Sequence, residues 1–390
     1  VTEALLASVA ASPFYQRKLG GRVPPAVEEF PFTTKAELVA DQAERPPYGT
    51  VLTRPLNDYV RLHQTSGTTT GRPLVWLDTA DSWDWLLGRW DSIFAHAGVG
   101  PGDRLFFAFS FGPFLGFWTA FAAAGRSMLC LTGGGMTSPA RLKHLLDHRV
   151  TVVLCTPTYA LHLAEVARRD GFDLPGSSVR KLIVAGEPGG LIPATRARIE
   201  AGWGARVHDH YGLTEVGPVA VEPEGDPDAM RLLDGYLAEV IDPATAEPIA
   251  DGEPGELVLT NLGRLGSPLV RYRTGDIVRK SGDRLVGGIL ARADDMFHLR
   301  GNNVYPSAIE AIVRRFEDVA EYRIEVDATG TLARLTITVE PAADADPDAV
   351  AGRIEQAVRD ELLFRPTVVS VTPGSLPRPE MKARRFTIRK

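Results

Sequence analysis

The chain has 390 residues, enough for two or more domains, and its 44% hydrophobic and 24% charged residues are ordinary for a soluble globular protein. A net charge of -6 leaves no overall basic footprint for nucleic acid, and two cysteines, Cys130 and Cys155, make neither a disulfide framework nor a metal cluster. They suit a reducing compartment, no apolar run approaches the roughly 18 residues of a membrane span, and the first residues lack a charged-then-apolar signal layout, so a cytoplasmic setting is expected.

In chain order, residues 1–20 read as an amphipathic helix carrying Leu5, Leu6 and Val9 and ending at Ser12-Pro13. Phe32-Thr33-Thr34-Lys35 reads as the cap of a further short helix, and Pro46-Pro47-Tyr48-Gly49 as a turn. Tyr59 to Leu62 has strand character and leads into Thr65-Ser66-Gly67-Thr68-Thr69-Thr70-Gly71-Arg72-Pro73. Glycines let such a loop approach a ligand closely, and its hydroxyls and N–H groups can ring the oxygens of a polyphosphate. The spacing is not the G-x-x-x-x-G-K-[ST] of the kinase-type loop. A flexible linker is the alternative, and the loop alone leaves both open.

Residues 79–97 read as a helix with Trp83, Leu86, Leu87, Trp90, Ile93 and Phe94. Strands at 105–109, 127–131, 152–155 and 181–184 then alternate with a helix running through Phe117 and Trp118 to Ala124 and helices at 139–148 and 159–169. That alternation predicts parallel strands covered on both faces, with ligands at the carboxyl ends. The turns expected there are Ser110 to Phe114, Thr132 to Gly135, Thr156-Pro157-Thr158, Gly186-Glu187-Pro188 and Tyr211 to Glu215. Residues 220–290 change to short strands at 239–241, 256–259 and 269–272, read as a small antiparallel β region. The last hundred residues read as strand, helix, strand, strand, helix, strand, a ferredoxin-like α+β unit small enough to move on a linker. Its helices carry Ile309, Ile312, Val313 and Phe316, and Val350, Ile354, Val358 and Leu362, at helical spacing. A boundary near Ala293-Asp294 divides the chain into units 1–293 and 294–390.

Four further stretches follow the Thr/Gly loop in order: Asp209-His210-Tyr211-Gly212-Leu213-Thr214-Glu215, Tyr272-Arg273-Thr274-Gly275-Asp276, Arg292 through Arg300-Gly301-Asn302-Asn303-Val304-Tyr305-Pro306, and Pro377 to Arg385. Together they resemble the adenylate-forming enzymes. Phe30 to Lys35 and Asn303 to Ser307 are similar to the phenylacetate–CoA ligase branch. The resemblance covers nearly the whole chain. It implies a large α/β amino-terminal domain, with mostly parallel sheets flanked by helices plus the small β region, and a small mobile α+β lid. The activity it implies is ATP- and Mg²⁺-dependent activation of a carboxylic acid as an acyl-adenylate, followed by transfer to coenzyme A. A carrier-protein arm or a non-thiol nucleophile stays open as acceptor, a homodimer as assembly, and a silent nucleotide-binding sensor as a reading of another class.

By the same resemblance, Ser66, Gly67, Thr68, Thr69 and Thr70 hold the β- and γ-phosphates in a cofactor-binding loop that includes Thr65 and Gly71, Thr214 bonds the α-phosphate, and Glu215 carries Mg²⁺, which prefers hard oxygen ligands. Tyr211 lies on the adenine, Gly186, Glu187 and Pro188 edge its pocket, and Asp276 and Arg292 reach the ribose. Lys382 bridges the acid and the α-phosphate, Asp294 is the hinge of the lid, and Gly301 lines the thiol tunnel. Phe109, Phe111 and Phe114, with His210 and Gly212, are expected to line the acid pocket, and the aromatic rings favour an aryl acid. The loop carries one more threonine than the family's S-G-T-T-G, so which threonine meets which phosphate stays open. His208 and His210 alternate on one strand face without a third ligand and read as core or pocket-lining residues. Residues 220–290 contain no cysteine, so no structural zinc is expected.

Overall fold

The computed structural model describes residues 2–65, 73–293, 297–299, 302–327, 334–342, 344–362, 364–377 and 385–389. The amino-terminal helix of the sequence reading is two, α1 (Glu3–Ala11) and α2 (Pro13–Lys18), separated at Ser12 because Pro13 starts a new first turn. In α3 (Lys35–Glu44), Thr34 and Glu37 exchange the reciprocal bonds of a capping box. A two-stranded ribbon, β1 (Tyr59–Gln64) and β2 (Val75–Thr79), flanks the threonine-rich loop.

The remaining elements of the large unit are α4 (Ala80–His96), β3 (Arg104–Phe107), α5 (Trp118–Ala124), β4 (Leu129–Thr132), α6 (Ser138–Asp147), β5 (Val152–Cys155), α7 (Pro157–Asp170), β6 (Lys181–Ala185), α8 (Pro193–Trp203), β7 (Arg206–Leu213), β8 (Gly217–Val221), β9 (Ala229–Leu232), β10 (Tyr236–Ile241), β11 (Pro254–Asn261), β12 (Tyr272–Ser281) and β13 (Arg284–Arg292). Among the described residues, the strands from β3 to β13 form one sheet in the order β10-β11-β12-β13-β9-β8-β7-β6-β5-β3-β4. From β4 to β7 neighbours are parallel. Strand β5 is buried along its whole length, as a strand covered on both faces must be.

Beyond β7 every neighbour is antiparallel. The antiparallel region expected at 220–290 is therefore the continuation of the main sheet rather than a separate body. The strand expected at 269–272 instead begins at Tyr272 and runs to Ser281. Arg271 has φ 45, a left-handed conformation that a strand cannot contain.

The carboxyl-terminal unit contains β14 (Phe297–Leu299), β15 (Asn302–Val304), α9 (Pro306–Val313), β16 (Val319–Asp327), β17 (Arg334–Pro341), α10 (Pro347–Leu362), β18 (Thr367–Ser370) and β19 (Phe386–Arg389). Its four-stranded sheet has the order β18-β17-β16-β19. Among the described residues, the expected first strand pairs only with β15, and β19 takes the edge beside β16, parallel to it. Phe297 still stacks on Phe386, so the two segments meet through side chains.

The buried apolar side chains of this unit, from Phe297 to Phe364, form a cluster of their own, and every buried member of the other three clusters lies at or before Leu285. Ile337 is fully buried in the carboxyl-terminal cluster. Ile337→Ala should cost about 2–5 kcal/mol, from lost burial and the cavity left behind. In scanning calorimetry it should lower only the transition belonging to residues 294–390; a single transition that shifts as a whole contradicts two separately cored units.

Candidate active site

Strand β7 carries the site, because it is where the sheet changes from parallel to antiparallel. Tyr211 to Leu213, expected in a turn, continue β7 and pair with the wholly buried β8, with Tyr211 opposite Ala220. The turn proper is Thr214 to Val216. The Tyr211 hydroxyl donates to Asp276 Oδ2 at 2.5 Å. Asp276, expected in a Thr-Gly-Asp turn, lies within β12 directly opposite Arg292 of β13, whose guanidinium donates to Asp276 Oδ1 at 2.8 Å and to the Thr274 carbonyl at 3.1 Å. Burial, reinforced by the Asp276 charge, pushes the Tyr211 phenol well above its ordinary range, so it remains a donor.

Glu215 is 3% exposed. Its Oε1 accepts from the Tyr272 hydroxyl at 2.9 Å and lies 3.1 Å from Lys35 Nζ. Burial, then the Glu215 charge, likewise raises the Tyr272 phenol. Lys35 reaches this point because Thr33 bridges to Tyr272: Thr33 N donates to the Arg271 carbonyl and Arg273 N to the Thr33 carbonyl, each at 2.9 Å. Lys35 and Tyr272 are site residues that sequence reasoning did not assign. A lysine in a first helical turn runs against the helix dipole, and that misfit was the available signal for Lys35.

Thr65 is buried and closes the base of its loop: its N donates to the Leu74 carbonyl at 2.9 Å, and its Oγ1 accepts from Leu74 N at 3.0 Å. Thr214 is half-buried and its carbonyl accepts from Arg264. Gly212 is exposed at the end of β7, where a Cβ would lie 2.8 Å from the Gly217 carbonyl oxygen. Gly186 (φ 94), Glu187 and Pro188 form the turn after β6. Glu187 Oε1 accepts from Thr158 N at 2.8 Å. Thr158 Oγ1 in turn accepts from Arg385 at 3.1 Å, and Arg385 is paired through two nitrogens with Glu321. The carboxyl-terminal unit thus meets the large unit beside the Gly186 turn. Ser66, Gly67, Thr68, Thr69, Thr70, Gly71, Asp294, Gly301 and Lys382 lie outside the described residues.

A run of rings extends from β7 toward the turn after β3. His210 meets the Trp90 edge at 4.7 Å, Trp90 neighbours Phe117 at 6.0 Å, Phe117 neighbours Phe109 at 4.9 Å, and Phe109 neighbours Phe111 at 4.8 Å. Phe114 is half-buried and outside this run. Gln64 N donates to the Pro113 carbonyl at 2.8 Å, which sets the aromatic turn against the strand entering the threonine-rich loop. Burial lowers the His210 pKa to about 4, so the ring is neutral, with Nδ1 3.0 Å from the Ala220 carbonyl. His208 is fully buried, as expected of a core residue.

The AMP-binding enzyme model matches residues 20–263, and the AMP-binding enzyme C-terminal domain model matches residues 301–390. The chain belongs to the AMP-binding enzyme family. Among relatives of this AMP-binding enzyme, the phenylacetate-coenzyme A ligase of Escherichia coli is 33% identical over 92% of this chain and 84% of its own length. The phenylacetate-coenzyme A ligase of Thermus thermophilus is 31% identical over 94% of this chain and 90% of its own length. The crystal structure of 2-hydroxyisobutyryl-CoA ligase in the postadenylation state, in complex with 2-HIB-AMP, superposes with TM-score 0.90 at 28% identity over 99% of this chain and 89% of that one. The same ligase in the thioesterification state, with 2-HIB-AMP and CoA, gives TM-score 0.70 at 30% identity and the same coverage. This AMP-binding enzyme therefore superposes better on the first of these two structures than on the second.

Beneath the site, Asp209 accepts from Leu191 N at 3.0 Å and His210 N at 2.9 Å, holding the segment after the Gly186 turn. Burial, with the neighbouring Glu222 charge adding to it, pushes its pKa from 3.8 up to about 7. The folded chain therefore binds this proton more tightly than the unfolded chain. Stability falls as pH rises from about 4 to about 7, by at most about 1.4 kcal/mol per pH unit. Asp209→Asn removes that slope. In urea titrations, the stability of the variant relative to the native chain should rise between pH 5 and pH 7.5; an unchanged difference contradicts the assignment.

Proposed function

We propose that this chain activates a small carboxylic acid with ATP, expelling pyrophosphate, and passes the acyl group from the adenylate to the thiol of coenzyme A. The observation that carries this reading is a set of two buried carboxylates, Asp276 within β12 between Tyr211 and Arg292, and Glu215 in the turn after β7 between Tyr272 and Lys35. An ionised carboxylate has about four lone-pair sites. Asp276 uses one on each oxygen, which leaves acceptors for the two hydroxyls of a ribose while Tyr211 offers its ring to the adenine. Gly186, Glu187 and Pro188 would edge that ring.

The Tyr272 hydrogen bond and the closest approach of Lys35 both fall on Glu215 Oε1, and among the described residues Oε2 accepts no hydrogen bond. A single carboxylate donor suits Mg²⁺, which completes its octahedron with waters and phosphate oxygens. Bound there, the ion would neutralise charge on the triphosphate. Lys35 keeps a cation beside Glu215 before nucleotide enters and faces the same phosphates afterwards. The loop from Thr65 to Gly71 would hold the β- and γ-phosphates, and Thr214 the α-phosphate.

In the first half-reaction a carboxylate oxygen of the acid attacks the α-phosphorus and the bond to pyrophosphate breaks. Two anions must approach, so positioning and charge neutralisation carry the rate. Lys382 is assigned the bridging cation. In the second half the thiol sulfur attacks the acyl carbon, the bond from that carbon to the phosphate oxygen breaks so that AMP departs, and the thiol proton passes to solvent. Asp294 is assigned the hinge between the two geometries and Gly301 the wall of the thiol tunnel. The ring run through Phe109 and Phe111 supports an aryl acid, with His210 and Gly212 at its β7 end.

A panel of aryl and aliphatic acids, assayed for pyrophosphate release with and without coenzyme A, tests the reading. An aryl acid should give pyrophosphate and AMP, and turnover should continue only with coenzyme A. Turnover with a carrier protein or an amine instead favours the alternative acceptors, and ATP binding without pyrophosphate from any acid favours a sensor. Lys382→Ala should lower pyrophosphate release by roughly 10²–10³ with ATP still bound; an unchanged rate removes its role.

A further inference from the structure

Arg264 follows β11 and is 1% exposed. Its Nε and Nη2 donate to the two oxygens of Asp78 at 2.6 and 2.7 Å, and Asp78 is fully buried in β2. The third nitrogen, Nη1, donates to the Thr214 carbonyl at 2.7 Å. Asn261, at the end of β11, anchors the bend that delivers Arg264: its Oδ1 accepts from Gly263 N at 3.0 Å and from Arg264 N at 2.7 Å. Its Nδ2 donates to the Val216 carbonyl at 2.8 Å. The carbonyls of the residues on either side of Glu215 are therefore held by this one bend.

A buried ion pair is weak evidence for stability, since apolar side chains of similar volume usually pack as well or better. Here the pair has a directional purpose. Asp78 lies on the strand that leaves the threonine-rich loop, and the guanidinium fork spans from that strand to the turn bearing Glu215. A planar fork can serve a carboxylate and a carbonyl at once; a lysine, a point charge on a flexible stem, cannot reproduce both.

We propose that Arg264 and Asn261 are positioning residues for the metal–nucleotide complex: they clamp the two carbonyls flanking Glu215 and tie the turn that bears this carboxylate to Asp78 of β2. The proposal rests on the assignment of Glu215 as the magnesium ligand. Neither residue touches substrate; they act through the turn. Outer partners of this kind typically change metal affinity by about 10–100-fold when altered.

The test uses the full chain and Mn²⁺ with ATP, with the metal followed by electron paramagnetic resonance. Asn261→Asp keeps the acceptors for the bend but replaces the donor to Val216 with an oxygen. Arg264→Lys keeps charge but loses the fork. Both should bind Mn²⁺ in the presence of ATP about tenfold more weakly or worse, with a cooperative melting transition and an acid KM within about twofold of the native value. Unchanged Mn²⁺ affinity in the variants that fold overturns the proposal and leaves a purely structural pair. If Arg264→Lys does not fold, Asn261→Asp decides alone. Glu215→Gln is measured in parallel: if it weakens Mn²⁺ binding while the others do not, only the clamp fails. If Glu215→Gln itself has no effect, the metal assignment falls and the clamp with it.

Discussion

Two buried carboxylates, Glu215 in the turn after β7 at 3% and Asp276 within β12 at 4% exposure, constrain everything around them. A buried charge is costly unless it is paired and hydrogen-bonded. Each is supplied with one phenol and one cation: Tyr272 and Lys35 for Glu215, Tyr211 and Arg292 for Asp276. Both phenols are held protonated by the same burial and the same negative charges, so they act as fixed donors. The chain spends apolar interior on keeping two negative charges in place, and that is the expected arrangement where hydroxyls and a cation are to be received.

The sheet explains how these groups come together from distant parts of the sequence. Parallel strands bring their carboxyl ends to one side, and the change to antiparallel pairing after β7 turns the chain back past that same edge. Strands β12 and β13 then deliver Asp276 and Arg292 as a directly opposed pair, where opposite charges support the pairing. The segment before α3 adds Lys35 by bridging to the start of β12. The carboxyl-terminal unit approaches through Arg385 and Thr158, next to the Gly186 turn.

Much of this was legible in the sequence, for identifiable reasons. The α/β core showed in the alternation of apolar runs and helical stripes, as in β5 and in α4 with its buried Trp83, Leu86, Leu87 and Trp90. Tyr211, Glu215, Asp276 and Arg292 could be named from motif order, and the structure brings them together, whereas Phe114 lies outside the ring run that holds Phe109 and Phe111. Less legible were features set by long-range pairing. The Tyr211 segment looks like a turn from its glycine and threonine, yet β8 extends it as strand. The Leu269 to Tyr272 run looks like a strand, yet Arg271 breaks it with a positive φ. The edge beside β16 goes to the last strand instead of the first, a choice that depends on pairing across the whole unit. Lys35 reaches Glu215 only through tertiary contact, and the Arg264 fork spans 186 positions to Asp78.

Hydrogen exchange of the full chain, with and without ATP and Mg²⁺, tests the central claim most directly. If one ligand engages both carboxylates and the loop between β1 and β2, as proposed, binding should slow exchange in the segments 65–75, 211–216 and 272–276 together. Unaltered exchange in those three segments, with protection appearing elsewhere or nowhere, would contradict the account.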